Sequence, residues 1–172
     1  MCNINKEEAR LILSSFSRAL DLLDCYDHDC LERPRGNSPT YRLSYEECME
    51  LISNMRFASD SELFGKEKDD SFRGSIGNIY QTFGGKELYP SLEEKAATLL
   101  YLVTKNHSFL DGNKRIAATV FLYFLHKNER LFKNGEKLIS DAALAALTLM
   151  IANSRPEEKD QMISIVINCI II

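Results

Sequence analysis

Between two strongly apolar stretches lies the run His107-Ser-Phe-Leu-Asp-Gly-Asn-Lys-Arg115. A loop anchored at both ends in a core has no packing need for so many polar groups. Gly112-Asn113 opens the second apolar stretch, read as a helix from Lys114 to Lys127. The first N–H groups of such a helix lack internal partners and carry partial positive charge, which makes a ready anion site. Gly112, without a Cβ, lets a phosphate come close to the backbone. Lys114 and Arg115 put formal positive charge in the first turn, where the helix dipole favours acids, at a cost of about 0.3 kcal/mol or more. A bound polyphosphate removes that conflict. Asp111 is then a natural Mg²⁺ ligand, because Mg²⁺ takes one or two carboxylates together with phosphate oxygens. His107, closing the preceding helix, can accept the proton of a hydroxyl that attacks the phosphate. Phe109 has the chemistry to pin the loop rather than to react. Each part has a plainer counterpart: a histidine cap, an Asp-Gly-Asn turn, a solvated Lys-Arg pair. It is their conjunction that points to phosphate chemistry.

The elements that must position this loop follow from periodicity and punctuation. Apolar residues Ala9, Ile12, Leu13, Phe16, Leu20 and Leu23 recur at helical spacing from Asn5 to Asp24, with Asn5 as N-cap. Cys25 to Tyr41 contains Pro34, Gly36 and Pro39 and reads as a long loop, functional or mobile. Ser44 and Glu47 form a capping box for a helix to about Met55. Asp60 to Gly74 reads as a solvated connection. Ile76 to Leu88, with Gly84-Gly85 at its middle, reads as a β-hairpin. Ser91 and Glu94 cap a helix from Leu92 to Asn106 that is apolar nearly all round, with Thr98 and Lys105 free to face outward. The equally apolar helix after the loop is expected to be central. Asn134-Gly135 marks a turn, and helices follow at Ser140–Ala152 and Pro156–Cys169. The expected fold is all-α, a bundle of about six helices with one short hairpin. It forms a single domain over residues 1–172 with its core near 44–152.

The bulk properties narrow the function classes. At 172 residues, 45% hydrophobic and 27% charged, the chain is an ordinary globular domain. Its net charge of -4 argues against a general nucleic-acid binder. No secretory leader and no membrane-length apolar run is seen, so the expected location is the cytoplasm. Five cysteines read as free thiols in that setting. Cys25, His28 and Cys30 lie close together but lack the further ligand of a structural zinc site. His28 and His126 have no ligand spacing to His107. The apolar end Ile170–Ile172 reads as tucked into a core or partner, or as the cut end of a longer chain.

The run His107-x-Phe109-x-Asp111-Gly112-Asn113-Lys114-Arg115 resembles the signature of the Fic/Doc family, and its Asp-Gly-Asn-Lys-Arg form is similar to the Fic module of RhuM-type virulence proteins. The resemblance implies a Fic-type helical bundle. It also implies a transferase that moves AMP (AMPylation) or phosphate from a nucleoside triphosphate, ATP, held with Mg²⁺, to a protein hydroxyl. It assigns His107 as general base, Asp111 as metal ligand, and Gly112, Asn113, Lys114 and Arg115 as the nucleotide site. The hairpin, with Ile76, Asn78, Ile79, Tyr80 and Thr82, corresponds to a flap that holds the target protein by strand addition. Two departures leave the transferred group open. Lys114 stands where AMP-transferring members have a second glycine, and Ala118 stands where they have a second arginine, a bidentate phosphate clamp. Ser154-x-x-x-Glu158 is a poor match to the family's inhibitory helix and reads as a helix start, with Ser154 as its cap. The alternative is an interaction or toxin–antitoxin module of low activity, with an inhibitory partner protein.

Overall fold

A computed structural model describes residues 5–56 and 60–171. Cys2 and Ile172 lie outside the described residues. The described residues divide into two compact units, one ending at Arg33 and one beginning at Pro34.

The first unit is helical. Asn5 caps α1 (Lys6–Ser15) by accepting the Glu7 N–H at 3.0 Å. The single expected helix is broken at Phe16 (φ -120°, ψ 16°), and α2 runs from Ser17 to Asp27. The break has a local cause. The Ser14 and Ser15 hydroxyls both donate to the Leu11 carbonyl, at 3.0 and 2.7 Å, and compete with the helical ladder just before Phe16.

The second unit is built around one helix. Its elements are α3 (Tyr45–Arg56), α4 (Ser71–Asn78), β1 (Thr82–Phe83), β2 (Lys86–Glu87), α5 (Leu92–Asn106), α6 (Asn113–Lys127), β3 (Phe132–Lys133), β4 (Glu136–Lys137), α7 (Asp141–Asn153), a 3₁₀ turn (Pro156–Glu158) and α8 (Lys159–Ile170). The fold is all-α with two small antiparallel hairpins, β1–β2 and β3–β4. The central helix is α5 rather than α6: it packs against α4, α6, α7 and α8. Burial on every side explains why Thr98 is fully buried instead of facing outward.

Three sequence expectations are corrected here. The hairpin is shorter than Ile76–Leu88. Ile76 and Asn78 belong to α4, Ile79 is its C-cap and Tyr80 follows in a turn, so only Thr82 of the five expected flap residues is in a strand. Ile76 and Ile79 are drawn into the core, which a helix turn satisfies and an exposed ribbon cannot. Asn134-Gly135 is the turn of a second hairpin, its residues at φ 53° and 81°, as a two-residue loop requires. Ser154 ends α7, donating to the Ile151 carbonyl at 2.7 Å, and the next turn is capped by Arg155 with Glu158.

Two buried polar side chains tie down the stretch before α3. Glu93 accepts the Asn37 backbone N–H at 2.8 Å and the Asn37 side-chain amide at 2.6 Å. Asn128, at the end of α6, accepts the N–H groups of Thr40 and Tyr41, both at 2.9 Å, and donates to the Phe124 carbonyl at 2.8 Å. The long loop, expected to be functional or mobile, is therefore pinned from residue 37 to residue 41. Asn128→Ala is expected to lower stability by about 1–3 kcal/mol, since it strands donors rather than removing a matched pair. Thermal unfolding checks this.

The root of the first hairpin is held by a buried cation. Lys95 is 1% exposed. Its Nζ donates to the carbonyls of Ile79 (3.3 Å) and Tyr89 and pairs with the Glu87 carboxylate at 3.2 Å. Burying an ammonium is tolerable only with such partners. Lys95 thus clamps both ends of the segment that carries β1 and β2.

Candidate functional site

The loop from His107 to Gly112 joins the C-terminus of α5 to the N-terminus of α6. The end of α5 is set by His107, the C-cap, in left-handed conformation at φ 47°. Its imidazole is exposed and makes no hydrogen bond among the described residues. Gly112 is the N-cap of α6 at φ 88°, and no side chain caps that helix. The first turn of α6 therefore offers its N–H groups outward.

What shapes the loop between these ends is the connection before α4. Read from the sequence as solvated, it runs alongside the loop instead. Gly65 N–H donates to the Asp111 carbonyl at 3.1 Å, Leu110 N–H to the Lys66 carbonyl at 2.8 Å, and Lys68 N–H to the Ser108 carbonyl at 2.8 Å. Phe64 and Phe72 anchor it, both buried. Phe72 meets Phe109 edge-on with ring centroids 4.9 Å apart. Ser108, fully buried, shares a 2.6 Å hydrogen bond with Ser71. Tyr45 of α3 donates to Glu67 at 2.6 Å, and this bond pushes the Tyr45 hydroxyl pKa up. Phe64 is the residue sequence reasoning missed. Its ring packs under Gly112 and carries the Arg115 guanidinium 4.6 Å from its centroid.

The predicted site residues fall into distinct roles. Asn113 spends its side chain on the loop: Oδ1 accepts the Phe109 N–H at 2.9 Å and Nδ2 donates to the Phe109 carbonyl at 2.8 Å. What Asn113 can offer an anion is its backbone N–H. Asp111 accepts the Gly112 N–H at 2.7 Å through Oδ1, and its Oδ2 lies 3.7 Å from Arg115. Lys114 and Arg115 are exposed on the same turn. Beside them a groove of about 350 Å³ opens between α6 and α7, lined by Ala118, Leu144, Ala145, Thr148 and Leu149, with the two cations and Asp141 as its charged residues. Ala118 leaves this wall apolar where an arginine would fill it. Ile76, Asn78, Ile79, Tyr80 and Thr82 are not part of this loop; the first four lie at the end of α4 and in the turn after it.

The Fic/DOC family model matches residues 42–125, from the start of α3 to near the end of α6, with the loop and both its neighbours inside. This segment belongs to the Fic/DOC family. The family resemblance carried by the His107–Arg115 signature is therefore borne out, and the all-α fold with it. The Fic/DOC segment is also similar to Toxin Doc of Mycolicibacterium smegmatis (strain ATCC 700084 / mc(2)155), at 47% identity over 54 residues, 31% of this chain and 42% of that relative. The chain thus matches less than half the length of this curated relative. No solved structure gives a significant match. Among the described residues no helix is long and apolar enough to cross a membrane, and no group of three or more His, Cys, Asp or Glu forms a metal cluster.

Proposed function

We propose that the chain is a Fic/Doc-type transferase that moves AMP or phosphate from ATP, held with Mg²⁺, to a protein hydroxyl. The observation that carries this reading is the start of α6. An uncapped helix N-terminus, a left-handed glycine and two exposed cations converge at one turn, and an exposed histidine, without a hydrogen-bond partner among the described residues, closes the helix on the other side of the same loop. Helix N-terminus and cations both favour a phosphate anion. The donor set fits the nucleotide: the groove between α6 and α7 is within the usual range of small-molecule pockets and mostly apolar for a base, with Lys114 and Arg115 outnumbering Asp141 among its charged lining residues. It also fits a hard cation, since the Asp111 carboxylate is half-exposed at the same turn. Bound Mg²⁺ would neutralise charge on the phosphates. His107 would take the proton from the incoming hydroxyl, while the N–H groups of the first α6 turn and Arg115 hold the phosphate in line. The hairpin β1–β2, rooted on Lys95, would present backbone to an extended target segment.

Incubating the chain with a cell extract and Mg²⁺ plus α-labelled or γ-labelled ATP tests this. Label from the α-position means AMP transfer, and label from the γ-position alone means phosphate transfer. No protein labelled by either would sink the enzyme reading.

A second reading is a toxin-like module restrained by an inhibitory partner protein. The name of the M. smegmatis relative favours it, as do the exposed apolar side chains of α1, α2 and the break between them, Leu11, Ile12, Phe16 and Leu23 among them. Tight binding of such a partner without labelling would support it in place of the first.

A further inference from the structure

The C-terminal end of α2 places two cysteines together by backbone geometry. The Cys30 N–H donates to the Cys25 carbonyl at 2.8 Å, and the Asp29 N–H donates to the Tyr26 carbonyl at 3.3 Å. Asp29 is left-handed at φ 54°. These are the two hydrogen bonds of a Schellman closure. It folds the residue after the left-handed one back over the last helical turn, where an apolar contact usually forms. Here the two positions that the closure brings together are both cysteine. Cys30 is exposed and Cys25 half-buried, so neither needs the fold to open.

We propose that Cys25 and Cys30 form a reversible disulfide across this helix cap, made by a hydroperoxide or a small-molecule disulfide. With a hydroperoxide, the Cys30 thiolate attacks the terminal peroxide oxygen. An S–O bond forms, the O–O bond breaks, and the leaving alkoxide takes a proton as alcohol. Cys25 sulfur then attacks Cys30 sulfur. The S–S bond forms, the S–O bond breaks, and hydroxide leaves as water with the Cys25 proton. Two thiols supply two electrons and the peroxide accepts them. With a small-molecule disulfide, the Cys30 thiolate forms a mixed disulfide as the S–S bond breaks and one thiolate leaves; Cys25 sulfur then displaces the second, which leaves as a thiol with the Cys25 proton. Cys30 is the first to react because it is the more exposed. The Cys25 thiol is pushed up, first by the Cys30 thiol beside it, then by desolvation, and further by Asp24 and Asp21. A Cys25 thiol pushed up in this way is slow to ionise but favours the disulfide once it forms. Three described residues resembling a zinc site, Cys25, His28 and Cys30, make no metal cluster. His28 is turned to the Asp24 carbonyl, at 2.8 Å.

The test uses the whole chain and is independent of any transferase activity. Reduced protein is exposed to hydrogen peroxide or glutathione disulfide, the remaining thiols are alkylated, and tryptic peptides are weighed. The peptide spanning residues 19–35 should become two hydrogens lighter and unalkylated, and dithiothreitol should restore both alkylation sites. Cys25→Ser and Cys30→Ser should each abolish the loss. Cys48, buried and with its thiol pushed up to about 12 by desolvation, serves as the unreactive reference. Full alkylation of both cysteines after the exposed Cys169 has been oxidised would overturn the proposal. So would a disulfide found only between two chains.

Discussion

Replacing His107 with asparagine is expected to cut label transfer by roughly 10²–10⁴-fold while leaving ATP binding in place, the loss typical of removing a positioned general base. Asparagine is the informative substitution because His107 has a left-handed backbone at φ 47°. Asparagine accepts that conformation more readily than most residues, whereas alanine there adds backbone strain to the chemical loss. The imidazole makes no hydrogen bond among the described residues, so its removal should strand no partner and leave the melting temperature nearly unchanged. Parallel measurements of labelling, of nucleotide affinity and of thermal unfolding separate the cases. Equal labelling by the variant would remove His107 from the chemistry. A matching fall in affinity would make it a binding group instead.

How far such a site could be read from the chain alone depended on whether its parts were contiguous. His107 to Arg115 is one run, and the helix boundaries on either side follow from apolar periodicity and a capping box at Ser91–Glu94, which the structure reproduces. Gly84-Gly85 located the first hairpin turn correctly, with both residues at positive φ. The β-branched and aromatic residues before it, Ile76, Ile79 and Tyr80, suggested strand, but tertiary packing decided for helix and turn. The support beneath the loop was hidden for a different reason. Between Asp60 and Gly74 only Leu63, Phe64 and Phe72 stand out among charges, and the pairing of residues 64–68 with 108–111 spans some forty positions that no local period reports. Lys95 was hidden by its own charge: composition places a lysine outside, and its burial is offset by partners at the hairpin root, two carbonyls and the Glu87 carboxylate. Asn113 shows the reverse case, where the residue was found but its side chain serves the loop rather than the anion.

Gly112→Ala is expected to damage both the fold and the site, and the two losses share one cause. At φ 88° an alanine pays about 1–2 kcal/mol for the left-handed backbone alone. Its Cβ would also lie 2.3 Å from Phe64 Cε2 and 2.5 Å from Cδ2. Phe64 is 1% exposed, so its ring can move only by disturbing the core, which adds about 1–3 kcal/mol. The combined loss, of order 2–5 kcal/mol, should lower the melting temperature by several degrees. Gly84→Ala provides the comparison. That glycine is also left-handed, at φ 58°, but a Cβ there meets nothing within 4 Å, so only the backbone cost applies. If the two variants melt alike, the Phe64 contact is unimportant. If Gly112→Ala melts lower, Phe64 is the floor of the α6 N-terminus, and the guanidinium stacked on it moves with it. In that case a Gly112→Ala, Phe64→Leu double variant should regain part of the stability, because the smaller side chain vacates the space the Cβ needs. It should not regain nucleotide affinity in proportion, since Arg115 would have lost the aromatic face that holds its charge beside the uncapped helix turn.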